Sequence, residues 1–219
     1  MSTFRVKICG LTQPTQAVAI ARLGATTLGF IAVEASPRYI PPDKLQRLIE
    51  TLIPESPQIQ RVGVFANAPL DFIAEFQGVG QLTGIQLHGD ESLDDCQKVR
   101  DSLPGVEIIK AIRVKDKTSL ENALQYGSVV DALLLDAYRP GVLGGTGATL
   151  DWETLTAFAP SCPWLLAGGL RPDNIAQALE RVTPHGIDLS SGVERSPGDK
   201  DLDKVAQLFQ ELRQLEMVN

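Results

Sequence analysis

The sequence predicts an α/β protein, a single-domain (β/α)8 TIM barrel over residues 1–219. Three observations carry that expectation. Eight short, nearly continuous apolar runs recur along the chain, as suits parallel strands covered on both faces. Amphipathic, helix-like segments separate them. The length of 219 residues is within the range such barrels use as one domain.

The first strand is expected over Arg5–Cys9, followed by a helix over Pro14–Leu23 with proline in its first turn, where the missing N–H costs nothing. A strand over Thr27–Ile31 leads to a helix over Pro42–Leu52, whose LQRLIETL places apolar residues at helical spacing. The third pair is Arg61–Phe65 and Pro69–Phe76, the fourth Gly84–Leu87 and Ser92–Ser102, the fifth Glu107–Ala111 and Ser119–Tyr126. After the sixth strand, Ala132–Asp136, the Pro/Gly-rich RPGVLGGTGATLDWE reads as a loop into a helix over Asp151–Phe158. The seventh pair is Trp164–Ala167 and Pro172–Arg181. The eighth strand, Gly186–Leu189, precedes a closing helix over Asp199–Glu216. Ser, Asp or Pro opens several of these helices, as N-terminal signals should. A doubly wound open sheet is the rival, but the strand count favours a barrel and no GxGxxG follows the first strand.

Composition narrows the function. A net charge of −7 speaks against nucleic-acid binding, which wants a basic face. An anionic ligand must therefore be held locally, by backbone amides or a placed cation. Cys9, Cys96 and Cys162 form no CxxC, so reduced thiols and a cytoplasmic location are expected. No signal-like start and no long apolar run predict a membrane association. No HxH, HExxH or DxD pattern supports a metal site.

In a barrel, the strands' C-terminal ends build the site. Those ends carry Cys9, Arg38, Asn67, His88, Arg113, Asp136, Gly168 with Gly169, and Asp188 with Ser190, Ser191 and Gly192. AGGL and SSGVE stand after strands seven and eight, the usual place for a phosphate, where glycine lets backbone N–H groups approach a ligand. GGTG after strand six is a candidate third wall. Cys9 and Asp136 form a candidate general base and general acid on different sides of the mouth. A lone strand-end cysteine is more often a buried apolar residue, so Cys9 needs a tuned environment to act. Lys7 points to the same side as Cys9; it either lowers the thiol pKa or pairs with a carboxylate inside the barrel. His88 either meets a ligand or satisfies its loop, and His185, before strand eight, falls on the opposite face.

KICGLT, GFIAVEASPRYI, VGVFAN, IQLHGDE, LLLDAYRPGVLGGTG, LLAGGLRPDNI and GIDLSSGVERSPGDKD, from residue 6 to about 203, resemble the phosphoribosylanthranilate isomerase family in order and spacing. The resemblance implies a cofactor-free Amadori isomerisation of a small phosphorylated substrate in tryptophan biosynthesis. It implies Cys9 as base, Asp136 as acid and Arg38 as the contact to the anthranilate carboxylate. It places the phosphate cradle around Gly145, Gly147, Gly168, Gly169, Ser190, Ser191 and Gly192. Lys7, His88 and Asp188 complete the candidate substrate-binding set. Family members occur as monomers and as homodimers, and nothing in the chain fixes a dimer face. The rivals are a neighbouring phosphate-binding barrel, such as an imidazole isomerase with paired aspartates on strands one and five, or a silent barrel that only binds.

Overall fold

The structure, a computed structural model, describes residues 4–137 and 152–218. Eight parallel strands close into a barrel in sequence order: β1 (Arg5–Cys9), β2 (Thr27–Ile31), β3 (Gln60–Phe65), β4 (Gly84–Leu87), β5 (Glu107–Val114), β6 (Ala132–Ala137), β7 (Trp164–Leu166) and β8 (Gly186–Leu189). Closure comes from β1 pairing β8, with Lys7 opposite Asp188 and Ile8 opposite Leu189. Around it lie α1 (Pro14–Leu23), α2 (Pro42–Glu55), α3 (Leu70–Gly80), α4 (Leu93–Ser102), α5 (Lys117–Tyr126), α6 (Ile175–Arg181) and α7 (Leu202–Gln214).

The period of two along each strand sorts the side chains. Val6, Ile8, Ile85, Leu87, Leu133, Leu135, Ile187 and Leu189 point outward into the buried layer beneath the helices. A smaller buried cluster of Val62, Ile109, Ala111, Ala132, Leu134, Leu165 and Ala167 fills the interior. By the same alternation Arg5, Lys7 and Cys9 face inward from β1, Gln86 from β4, Asp136 from β6 and Asp188 from β8. The N-terminal floor is crossed by Arg5, whose guanidinium grips both Glu107 carboxylate oxygens at 2.6 Å and donates to Thr27 at 3.0 Å. Gly186 makes room there, since a Cβ would sit 2.4 Å from the Arg5 carbonyl oxygen. Ionic floor, apolar middle and polar mouth thus stack along the axis, and only the mouth is left for chemistry.

Where the elements depart from expectation, a specific residue is responsible. Strand β5 continues to Val114, so Arg113 lies within the strand, where it pairs Asp90 at 2.5 Å. Of the helix expected over Asp151–Phe158, the described part is a short 3-10 turn, Trp152–Leu155. Helix α6 begins at Ile175 rather than Pro172 because Asn174 serves the loop before it: its side chain accepts from Arg171 N at 2.8 Å and donates to Gly169 O at 3.0 Å. The closing helix starts at Leu202 because the Asp201 side chain caps it, accepting from Asp203 N and Lys204 N. The residues before it form an antiparallel hairpin, β9 (Glu194–Ser196) with β10 (Asp199–Lys200), turning at Gly198 with φ of 82°. No described helix is long and apolar enough to cross a membrane.

Candidate active site

The mouth of the barrel holds a cavity of about 790 Å³, its open rim included. Of the residues expected to form a site, Cys9, Arg38, His88, Asp136, Gly168, Gly169, Asp188, Ser190, Ser191 and Gly192 all line it. Gly145 and Gly147 lie outside the described residues. Lys7 does not line the cavity. It is wholly buried one layer below, with Nζ 3.0 Å from Asp188 Oδ1, because its position on β1 puts it two residues deeper than Cys9. Both readings of Lys7 hold: it pairs with Asp188, and it also lowers the Cys9 thiol through its charge and a side-chain hydrogen bond.

Cys9 ends β1 and is 5% exposed. Gly29 on the neighbouring strand gives the thiol its space, since a Cβ there would meet Sγ at 2.6 Å. Burial pushes the Cys9 thiol up; Lys7 pulls it back down, Asp188 pushes it up further, and Lys200 opposes. The net direction is upward, so the lysine does not preform a thiolate in the free protein. Because only the thiolate reacts, a raised pKa moves reactivity to higher pH. Alkylation of the Cys9 peptide by iodoacetamide, followed by mass, is therefore expected to be slow at pH 7. It should climb about tenfold per pH unit toward the alkaline range; a plateau already reached below pH 8 would refute this. Cys96 and Cys162 are buried away from the cavity, and burial carries the Cys96 thiol to about 11.

Asp136 is 6% exposed at the inward end of β6. His88 Nε2 sits 3.4 Å from its Oδ2, within ion-pair reach though not in hydrogen-bond geometry. The Gln86 amide nitrogen lies 3.1 Å from His88 Nδ1. With Gln86 donating to Nδ1, the ring carries its proton on Nε2, facing the carboxylate. Gln86 Oε1 and His88 Nε2 are buried without a hydrogen-bond partner among the described residues, and both side chains line the cavity. The loop bearing His88 is tied down by a buried knot. Lys110 Nζ donates to Gly89 O at 2.9 Å and to Glu91 Oε2 at 2.8 Å, while Glu91 Oε1 accepts from Asn67 N at 2.7 Å.

The glycines at strand ends seven and eight sit in left-handed backbone or in close packing that excludes a side chain. Gly168 and Gly169 adopt φ of 85° and 67°, where a Cβ is disfavoured. Gly192 packs so tightly on the other loop that a Cβ would fall 1.9 Å from Leu170 O. Among the described residues no acceptor takes the N–H of Gly168, Gly169, Ser191 or Gly192. All four residues line the cavity, and unpaired backbone N–H groups there can hold an anion without a bulk positive charge.

Arg38 is 8% exposed and partly committed. Its Nε lies 3.0 and 3.1 Å from the two oxygens of Glu194, and its Nη2 2.8 Å from Oε2. Gly10, with φ of 81°, lets the side chain pass: a Cβ there would stand 2.7 Å from Arg38 Cδ. Sequence reading missed Gln86, Glu194 and Lys200. Gln86 could have been found from the period of β4, which turns it inward beside His88. Glu194 falls within the SSGVE stretch after strand eight, where the serines and glycine carry the phosphate reading, and Lys200 within the expected closing helix; neither pattern shows the hairpin that presents both.

The family described as N-(5'phosphoribosyl)anthranilate (PRA) isomerase matches residues 6–211. The chain is 58% identical over 208 residues to N-(5'-phosphoribosyl)anthranilate isomerase of Gloeothece citriformis, covering 95% of this chain and 93% of that one. Among solved structures, phosphoribosyl anthranilate isomerase from Thermotoga maritima superposes with a TM-score of 0.88 at 35% identity, covering 97% of this chain and all of that one. A phosphoribosyl anthranilate isomerase in complex with reduced 1-(o-carboxyphenylamino)-1-deoxyribulose 5-phosphate gives a TM-score of 0.84 at 32% identity, with 97% and 100% coverage.

Proposed function

Because the chain belongs to the N-(5'-phosphoribosyl)anthranilate isomerase family and carries out its Amadori isomerisation in tryptophan biosynthesis, we propose that Cys9 is the general base and Asp136 the general acid of that reaction. The observation that carries this assignment is their placement: both line one cavity, which is also lined by Gly168, Gly169, Ser191 and Gly192, whose N–H groups have no acceptor among the described residues. The phosphate sits against Gly168, Gly169, Ser191 and Gly192, and Arg38 takes the anthranilate carboxylate, for which a planar fork is well matched. Three unpaired cysteines support a reducing, cytoplasmic setting.

The chemistry follows from the geometry. Asp136 gives its proton to the furanose ring oxygen, the C1–O bond breaks, and the nitrogen lone pair forms a C1=N iminium. That cation acidifies the C2 hydrogen, which Cys9 removes as thiolate; the electron pair moves into C1=C2 and neutralises the nitrogen. The resulting enolamine takes a proton at C1 while its C2 hydroxyl gives one up, and it becomes the ketose. A base held mostly as thiol in the free protein suits this order, since the cationic imine and Lys7 both favour the thiolate once substrate is bound. Gln86 Oε1 and His88 Nε2 offer an acceptor and a donor to sugar hydroxyls. Turnover in D2O tests the base step. Product should carry one deuterium at C1, and substrate deuterated at C2 should react more slowly; direct transfer without solvent deuterium or isotope effect would overturn removal of the C2 proton by an exchangeable base.

A further inference from the structure

We propose that Glu194 is the positioning residue for Arg38: by gripping one edge of the guanidinium it presents the other, Nη1, to the substrate's carboxylate. The inference rests on the assignment of Arg38 to the anthranilate carboxylate. Glu194 opens β9, and its side chain is 4% exposed. Its Oε1 accepts from Arg38 Nε, from Lys200 Nζ at 2.7 Å and from Gly198 N at 3.1 Å; its Oε2 accepts from Arg38 Nε and Nη2. A carboxylate so fully bonded cannot swing away, and Arg38, held through Nε and Nη2, cannot rotate about its long side chain. Nη1 has no hydrogen-bond acceptor among the described residues, and Arg38 lines the cavity.

The hairpin that carries Glu194 is itself clamped to the start of the chain. Gln16 Nε2 donates to Asp199 Oδ1 at 2.7 Å, Lys200 N donates to Gln16 Oε1 at 2.9 Å, and Thr12 Oγ1 donates to Gly198 O at 2.8 Å. Lys200 is wholly buried among acceptors, donating to the carbonyl oxygen of Cys9 as well as to Glu194. Burial alone would raise the Glu194 carboxyl, but hydrogen bonds and charge from Arg38 and Lys200 hold it below the usual range. Arg38 and Lys200 both donate to this one carboxylate, and burial lowers the lysine pKa. Nη1 is the guanidinium edge left for an arriving carboxylate, whose planar fork it suits.

The test compares N-(5'-phosphoribosyl)anthranilate with N-(5'-phosphoribosyl)aniline, which lacks only the carboxylate. The reading is the ratio of kcat/KM for the two. Glu194→Gln, which keeps shape and removes charge, should lower that ratio roughly tenfold or more, chiefly through KM for the anthranilate substrate. Adding it to Arg38→Met should bring no further fall, because Glu194 acts through Arg38. Should the Gln variant not fold, Glu194→Asp, which keeps the charge but shortens the reach, should lower the ratio in the same direction. A ratio unchanged in the Glu194 variant, whether activity falls equally on both substrates or not at all, overturns the positioning role. An unchanged ratio in Arg38→Met instead overturns the assignment of Arg38, so the two failures are told apart.

Discussion

Cys9→Ala is expected to lower kcat by about a thousandfold, the scale that loss of a positioned base brings. The thiol is the group on β1 that faces the cavity, with Lys7 as its side-chain neighbour; its carbonyl, not its sulfur, serves Lys200. Truncation removes one buried atom from a strand end and leaves the ladder to Gly29 intact, so folding should change little. Cys9→Ser should be nearly as poor, because a hydroxyl is far harder to ionise at the same buried spot. Turnover followed by loss of substrate fluorescence reads the chemistry. Calorimetry with reduced 1-(o-carboxyphenylamino)-1-deoxyribulose 5-phosphate reads the site. Lost turnover with retained binding establishes a base; a fall of less than tenfold removes Cys9 from the mechanism.

Asp136→Asn should cost a comparable thousandfold in kcat, for a different reason. The amide matches the carboxyl in shape and keeps an oxygen toward His88 Nε2, so the wall of the cavity is preserved. It cannot give a proton to the ring oxygen, and ring opening is the first event. Proton removal at C2 depends on the iminium that opening creates, so the variant should also fail to wash deuterium from D2O into unreacted or converted substrate. A variant that still incorporates deuterium at C1 at near wild-type rate would show that another group opens the ring. Because Cys9 and Asp136 act on successive steps of one path, combining the two variants should cost far less than the product of the single losses.

Much of the fold was readable because it rests on one simple rule repeated. A strand such as Ala132–Ala137 must be apolar on both faces to sit between helices and interior, and LLLD says so directly. The site was readable where it coincides with strand ends, as with Cys9, Asp136, Gly168 and Ser190. It was not readable where long-range pairing decides. Nothing near Lys7 in sequence reveals that Asp188, 181 residues away, is its partner. The same holds for Arg38 and Glu194, 156 residues apart. The final hairpin escaped notice because GVERSPGDKD has too few residues to show a period of two, and the capping role of Asp201 looks like the interior of a charged helix. Gln86 was legible in principle, but polarity at an inward strand position reads as noise until the barrel is closed.

The seam between β1 and β8 also sets a timetable for biosynthesis. The ribosome releases Cys9 long before the Ser190–Gly192 cradle, yet the two meet only when Lys7 finds Asp188 and Gln16 finds the hairpin. Until then β1 and β7 are open edges with unpaired backbone, and no half-made chain can hold the substrate. A stop codon before Gly186, which removes β8, the hairpin and α7, would therefore leave most of the protein and both Cys9 and Asp136 present but no closed site, with a sticky remnant for chaperones and proteases to clear.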